Sequence, residues 1–179
     1  MKRSLKLWQI GGFIFTGIGG VLLHFLYDWS GQSIIVAPFS AVNESIWEHM
    51  KLLFFPMFLY ALIEYKYIGK DFGNFWCAEL IGTLTGLFLI PIIFYTYSGI
   101  LGTTADWFNI AIFFIAAGAA YYLEYLLMKN EIDLCKSPNV PFAVLCLTAL
   151  LFVVLTFVQP KIPLFRDMMT GQYGIFKGE

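Results

Sequence analysis

Two histidines and three carboxylates occupy positions that suit a shared ligand: His24, Asp28, Glu44, Glu48 and His49. The two histidines are the only ones in the chain. Imidazole nitrogens and carboxylate oxygens are ligands of zinc, and such a set leaves room for water, as in catalytic zinc sites. A histidine beside carboxylates also titrates near neutral pH, which suits a proton-handling or cation-binding site. We therefore expect a site for a divalent metal such as zinc, for another cation or for a small polar ligand.

The length of one apolar segment places part of this set inside a membrane. Crossing the hydrocarbon core takes about 20 helical residues, and counting back from Lys66 reaches Ile46. Glu48 and His49 therefore fall within the outer turns of this span. At about 100° per residue, Glu44 and Glu48 stack on one helix face, with His49 on its flank.

Depth in the membrane relates the two histidines to each other. His49 lies 17 residues from Lys66, and His24 lies 17 residues from the inner end of the first span. At about 1.5 Å per residue, both lie about 26 Å above the inner boundary. Asp28 and Glu44 match one another slightly higher. If the first two spans pack side by side, these residues form one outward-facing site, with Asp28 at its rim.

An interfacial belt is the alternative interpretation of the same segment. In a belt, Trp47, Glu48 and Lys51 lie at the lipid headgroups, with the charged groups extended towards water. A charge inside the membrane costs about 2.5–3.5 kcal/mol on insertion scales, so one charge does not decide between the two interpretations. Several polar groups at one depth favour a site.

Glu79 and Glu124 form a second candidate polar site in the inner half. Each lies five residues from the inner end of its span, which is about 7.5 Å above the boundary. We expect both to point into the bundle and to form hydrogen bonds there, although pairing with nearby lysines at the interface is the alternative. Glu64 is nearer the surface, where Lys66 can pair with it. Ionisable groups in both halves suit a transport route.

The segment after the last span suggests a lid over the outer mouth. Between residues 163 and 175 it carries Phe, Tyr and Ile side chains, which imply docking, and glycines that let the chain reverse. Arg166 is expected to meet Glu44 or Asp28. The membrane surface is the alternative partner of the tail, 160–179. The residues predicted for the lid and mouth are Tyr95, Tyr97, Arg166, Asp167 and Tyr173.

Five long apolar runs must position these residues. They lie at about 7–27, 46–65, 74–97, 107–128 and 140–159. All are expected to be helices, because an isolated strand would leave backbone groups unpaired in lipid. Asp106 suits the N-cap of the fourth helix. The sequence predicts an all-α, polytopic transmembrane bundle with five spans, which forms a single domain over residues 1–179.

The composition agrees with lipid as the solvent. The chain has 179 residues, of which 59% are hydrophobic and only 13% charged, whereas soluble domains are about a quarter charged. This excludes disordered chains and ordinary cytosolic enzymes. A formal net charge of -1 without a basic stripe excludes nucleic-acid binding through a basic face. The expected partners are the lipid bilayer and a small polar ligand or cation, and the sequence identifies no protein partner.

Loop charges and cysteines bear on the orientation. Seven Lys and Arg residues fall on the side of the N-terminus and four on the other side, which predicts the N-terminus inside and the C-terminus outside. Cys77, Cys135 and Cys146 form no CxxC pair and leave an odd count, so we expect neither a disulfide framework nor a zinc knuckle. They lie in or near the predicted cytoplasmic half, where thiols stay reduced.

Four segments carry a family resemblance: His24–Gly31, Ala41–Pro56, Tyr95–Gly102 and Pro163–Ile175. With the motifs NESxWEHxK, YTYSGILG and PLFxDxxTGxYGI, they resemble a group of small bacterial multi-pass membrane proteins known only as a domain of unknown function. The resemblance covers nearly the whole chain. It implies a multi-pass protein of the plasma membrane, and it supplies no activity.

Three functions stay open on the sequence alone. The first is a small carrier or binding subunit with an outward-facing site for a cation or small polar ligand, which the matched inner carboxylates favour. The second is a metal-dependent intramembrane hydrolase, in which His24, His49 and Glu48 or Glu44 hold the metal and another carboxylate acts as general base. The third is an accessory protein whose polar cluster only locks helices together.

Overall fold

Five long helices build the protein. The computed structural model describes residues 2–137 and 139–175, and the long elements in these ranges are all helices. They are α1 (Lys2–Trp29), α2 (Ile46–Tyr67), α3 (Phe75–Leu101), α4 (Asp106–Lys129) and α5 (Asn139–Phe157). Each is long and apolar enough to cross a membrane. The predicted all-helical bundle of five spans is therefore confirmed.

Local signals explain where several helices begin and end. The hydroxyl of Ser45 accepts a hydrogen bond from the backbone N–H of Glu48, which satisfies a donor that the start of α2 leaves free. α3 ends at Leu101, and Gly102 caps it with a φ of 69°, which suits a residue without a side chain. The cap predicted for α4 is wrong, because Asp106 is the first helical residue and Ala105 precedes it as the cap. A carboxylate in the first turn still interacts favourably with the helix dipole.

α2 is the most enclosed of the five helices. Of its most apolar stretch 67% is buried, against 22% to 50% in the other helices. Its mean hydropathy of 1.3 is also the lowest of the five. α1, α3 and α5 contact α2, and α4 packs against α1 and α3. The polar residues of α2 are therefore carried into the interior of the bundle.

The alternating helices place their connections at two ends of the bundle. The N-terminal end carries the start of α1, the connection 68–74 and residues 130–137. The opposite end, called the cleft end below, carries residues 30–45, the connection 102–105 and the tail. That the N-terminal end faces the cytoplasm stays a prediction from loop charge.

A disulfide fastens the N-terminal end. Cys77, in the first turn of α3, is bonded to Cys135 in the connection between α4 and α5. Asn74 holds the same connection, because its side-chain amide donates to the carbonyl oxygens of Leu127 and Ile132 at 2.9 Å each. The expectation of unpaired thiols is therefore wrong for this pair. The two cysteines are 58 residues apart, and their spacing does not reveal that the connection folds back onto α3.

The tail lies against the cleft ends of α2 and α5. Phe165 is buried, and its ring stacks on that of Trp47 with 4.5 Å between centroids. The side-chain amide of Asn43 donates to the Gly174 carbonyl oxygen at 3.0 Å, and the Gly174 N–H donates to Gln159 Oε1 at 2.7 Å. The tail therefore has protein partners up to the last described residues.

Candidate metal centre

Two imidazoles and one carboxylate converge at the cleft end. Glu44 lies between the two rings, with Oε1 3.6 Å from His24 Nε2 and Oε2 3.5 Å from His49 Nε2. The ring centroids are 5.6 Å apart. One ligand atom from each residue lies within 4.8 Å of the other two, which is close enough for one metal ion to contact all three.

A backbone carbonyl orients one of the two rings. His49 lies in the first turn of α2, and its Nδ1 is 2.8 Å from the carbonyl oxygen of Ser45. When Nδ1 carries the ring proton and donates it there, Nε2 presents a lone pair towards Glu44. Metal-binding histidines are usually fixed in this way by a second hydrogen bond.

Glu44 reaches both rings because it precedes the helix. α2 begins at Ile46 after its cap, so Glu44 belongs to the loop that follows α1. The neighbouring His24 imidazole lowers the pKa of Glu44 most, burial opposes this effect, and the charges of His49 and His24 add to it. The net result is a pKa below the ordinary value of 4.5. Glu44 is therefore ionised at neutral pH, which is the form that binds a cation.

The three side chains open on a cleft of about 350 Å³ between α1 and α4. Nearer the N-terminal end these helices touch, because Gly12 lies against Tyr121 and Gly17 against Phe114. Towards the cleft end residues of both helices line the cleft, together with Met168 of the tail. The polar residues of the lining are His24, Glu44, His49, Thr104, Asp106 and Asn109.

The cleft is open on a side that faces lipid. Val21 and Phe25 of α1 and Ile110 of α4 line it, and each is about half exposed. In a membrane these apolar side chains face the hydrocarbon. The cleft therefore combines an apolar side with the polar ligand residues.

A free carbonyl lies one turn below the histidines. Pro56 has no N–H, so the carbonyl oxygen of Leu52 lacks its usual helical partner. Gly20 leaves room for this oxygen, since a Cβ built on Gly20 would lie 3.0 Å from it. Gly20 and Leu52 both line the cleft.

Glu48 does not join the histidines, contrary to the prediction. Its carboxylate is fully buried and pairs with Lys51 at 2.5 Å. It also accepts hydrogen bonds from the backbone N–H of Val42 and the side-chain amide of Gln159. Lys51 Nζ donates in addition to the carbonyl oxygen of Ala37 at 2.9 Å. The two residues form a buried ion pair that ties residues 37–42 to α2.

The start of α2 explains this error. Glu44 and Glu48 share a face only if both are helical, whereas the helix begins at Ile46. The interfacial belt is also wrong for this segment, because Trp47 and Lys51 are buried.

Three other predicted residues lie around the centre. Asp28 is exposed at the end of α1 and does not belong to the converging set. Tyr97 donates its hydroxyl to Asn109 Oδ1, so it supports a cleft residue from behind. Tyr95 is 41% exposed, and the cleft lining does not include it.

The pairing predicted for Arg166 is wrong. Instead of meeting Glu44 or Asp28, Arg166 is exposed and donates through Nε to the Gly171 carbonyl oxygen at 3.2 Å. Arg166 is held in a local turn, where its backbone forms an antiparallel β-bridge with that of Tyr173.

Asp167 stabilises this turn. It is buried, and its Oδ1 accepts from the backbone N–H groups of Met169 and Thr170 at 2.7 and 3.1 Å. The turn brings Met168 and Met169 into the cleft wall. The tail therefore shapes the cleft through its methionines, whereas the charged residue predicted for that role points elsewhere.

Sequence reasoning missed the contribution of α4 to the cleft. Asp106 and Asn109, one turn apart at its start, line the wall together with Thr104. A signal was present, because these polar residues lie at the same end of the bundle as His24. Taken alone, Asp106 suggests only a helix cap.

The inner carboxylates lie together near the N-terminal end. Glu79 and Glu124 are buried, as expected from their matched depth. The expected hydrogen bonds are wrong, since within the described residues Glu79 Oε1 and both carboxylate oxygens of Glu124 lack a partner. Glu64 is also buried, and it accepts from Gln9 Nε2 at 3.0 Å instead of pairing with Lys66.

A sequence model of one protein family matches residues 1–175, nearly the whole chain. Its description is "Family of unknown function (DUF6512)". Neither a curated protein nor a solved structure matches the chain.

Proposed function

We propose that this chain, a member of the DUF6512 family of unknown function, binds a divalent transition-metal cation at the cleft end of its membrane bundle. The ligands are His24, Glu44 and His49. The observation that carries the proposal is their convergence within 4.8 Å. The protein then acts as a small carrier or binding subunit of the plasma membrane.

The donor set supports a borderline metal ion such as zinc. Imidazole suits Zn, Cu, Fe and Ni, whereas Mg and Ca prefer oxygen ligands alone. Three protein ligands leave a tetrahedral ion one position for water or a ligand. The adjoining cleft of about 350 Å³ provides the space for such a ligand.

Metal titration of the purified protein tests this proposal. After chelator treatment in detergent, we expect the protein to bind one equivalent of Zn²⁺. His24→Ala and His49→Ala should each weaken binding at least about 100-fold, because even the loss of an outer-shell partner costs about 10–100-fold. Asp28→Asn is the matched control, since this nearby carboxylate is exposed, and it should leave the affinity nearly unchanged. Wild-type affinity in both histidine variants, or no binding of Zn²⁺, Fe²⁺ or Mn²⁺ by the wild type, would refute the site and leave an accessory role.

The cleft favours a second candidate function, a metal-dependent hydrolase. Zinc lowers the pKa of a bound water to about 7 and so generates a nucleophile. Asp106 lines the same cleft and has the chemistry of a general base. The lipid-facing opening suits an amphipathic substrate. Zinc-dependent cleavage of an ester presented in micelles, lost in Asp106→Asn while zinc binding persists, would favour this function over a carrier.

A further inference from the structure

Four polar side chains from four helices meet in the interior near the N-terminal end. They are Gln9 of α1, Glu64 of α2, Glu79 of α3 and Glu124 of α4, called the inner cluster below. Their exposed fractions are 5%, 0%, 2% and 0%. Gln9 donates to Glu64 Oε1 at 3.0 Å. The Glu124 side chain lies against Gly82, which is three residues from Glu79 on α3, so the groups share one region. The cluster is separate from the candidate metal centre at the opposite end.

The inner cluster contains five oxygen atoms without a hydrogen-bond partner among the described residues. They are Gln9 Oε1, Glu64 Oε2, Glu79 Oε1 and both carboxylate oxygens of Glu124. Gln9 supports a site independently of the three glutamates, because its side chain is a neutral amide. Its Nε2 donates to Glu64 Oε1 at 3.0 Å, which holds its unpaired carbonyl oxygen within the cluster. Every unpaired atom is an acceptor, so what is missing is a set of donors.

The surrounding side chains do not supply these donors. Tyr60 donates its hydroxyl to the Trp8 carbonyl oxygen at 2.7 Å. The hydroxyl of Tyr121 is engaged with that of Thr16 at 2.8 Å. In the part of the chain that the structure describes, the ion pairs involve only the other acids, Glu44 and Glu48.

An ionised carboxylate buried without a partner is strongly disfavoured, so the inner cluster needs positive charge from outside the chain. Protons fit this need better than one metal ion. Hard cations require about six oxygens around a single point, whereas the carboxylates of the inner cluster do not converge as the ligands of the metal centre do. Protons added to the glutamates turn some of the unpaired oxygens into donors, and the remaining oxygens, including Gln9 Oε1, then become their acceptors.

We propose that Gln9, Glu64, Glu79 and Glu124 form an intramembrane proton-binding site, in which the glutamates are held as neutral carboxylic acids. Buried ionisable groups of this kind mark proton relays in membrane proteins. Glu124 is closely packed against α3. The side chain of Glu124 lies so close to Gly82 that a Cβ built there would be 2.4 Å from its Cγ.

Infrared spectroscopy tests this proposal on the intact protein. In a maltoside detergent, which has no ester carbonyl, we expect a carboxylic-acid C=O band at neutral pH that shifts in D₂O. Glu64→Gln, Glu79→Gln and Glu124→Gln should each remove about one third of its area, since one acid group is lost of three. Glu44→Gln and Glu131→Gln are the matched controls, and they should leave the band unchanged.

Two results would overturn the proton-binding site. One is a wild-type spectrum without a carboxylic-acid band, because the glutamates would then be ionised. The other is loss of the band when Na⁺ or Ca²⁺ is added, because a metal would then occupy the cluster. The D₂O shift needs no variant, so the test holds even if a substitution prevents folding. Zinc titration of the same samples reports on the metal centre separately, so failure at one site does not imply failure at the other.

Discussion

Glu44 joins two histidines that belong to different helices, and its charge sets the electrostatics of the metal centre. It has no helical hydrogen bonds of its own, since it precedes the cap of α2. Its position depends on the loop and on the two rings, which lie 3.5 and 3.6 Å from its oxygens. The position of this one carboxylate therefore links the conformation of residues 30–45 to the geometry of the metal centre.

The lowered pKa of Glu44 predicts a pH-dependent stability. Because folding makes this carboxyl more acidic, the folded state binds its proton less readily than the unfolded state does. The resulting stability is present above the ordinary value of 4.5 and is lost as the pH falls through the lower folded value. Glu44→Gln removes it. With a chelator present, the melting temperature of the wild type should exceed that of Glu44→Gln above pH 4.5, where this contribution is fully present.

Below pH 4.5 this difference in melting temperature should shrink as Glu44 takes up its proton. Asp28→Asn is the control, because that carboxylate lies outside the converging set. A gap between wild type and Glu44→Gln that is equally large on both sides of pH 4.5 would contradict the assignment.

The convergence of His24, Glu44 and His49 was accessible to sequence reasoning because it depends on length. A helix rises about 1.5 Å per residue, so counting residues from one boundary gives depth. The face of α2 on which Glu48 lies depends on where the helix starts, and the cap at Ser45 fixes that start. If the helical periodicity is extended back to Glu44, which precedes the helix, Glu48 is placed on the same face as Glu44 and is assigned the wrong partners.

The contact between α1 and α4 depends on glycines that admit aromatic rings. A Cβ at Gly12 would lie 2.5 Å from Tyr121 Cε1 and 2.7 Å from Tyr60 Cε1. Both rings are buried, so neither can move without disturbing its neighbours. The same two helices line the cleft nearer their other ends.

Gly12→Ala should therefore destabilise the bundle by about 1–3 kcal/mol, the usual cost of overpacking a well-packed core. Thermal unfolding followed by circular dichroism measures the change. Gly99→Ala is the matched control, because Gly99 is also helical and a Cβ there would meet nothing within 4 Å. Equal melting temperatures for the two variants would mean that the helices tolerate a methyl group at the contact.

The helices were predictable because lipid restricts the chain to one solution, in which every backbone group bonds within its own helix. The tail was not predictable in the same way. Its docking depends on the ring of Phe165 against Trp47 and on the bonds of Gly174 to two side chains of distant segments. No periodic pattern encodes such contacts. The apolar side chains of the tail therefore predict that it docks, but they do not predict the partner of Arg166.

At the scale of the whole molecule, two physical signals disagree about orientation. Loop charge places the N-terminal end in the cytoplasm, whereas the bond between Cys77 and Cys135 at that end suits an oxidising compartment. Charge acts during insertion and fixes the topology, so we expect the N-terminus inside and the C-terminus outside. The cleft then faces outwards.

Reporter fusions ending at Lys129 and at Glu179 test this orientation. We expect alkaline phosphatase to be active at Glu179 and inactive at Lys129, and a fluorescent protein that folds in the cytoplasm to show the reverse. The opposite pattern would place the disulfide in the oxidising compartment and open the cleft to the cytoplasm.

The enclosed position of α2 also bears on biosynthesis. With the lowest mean hydropathy of the five helices, 1.3, and with Glu48, Lys51 and Glu64 in its length, α2 is the segment that the translocon releases into lipid least readily. Its order in the chain compensates for this, because α1 precedes it and α3 follows after the short connection 68–74. A nascent α2 thus meets neighbouring helices at the lateral gate of the translocon that can shield its polar side chains. Its insertion into the membrane is therefore a property of the helical hairpin rather than of the helix alone.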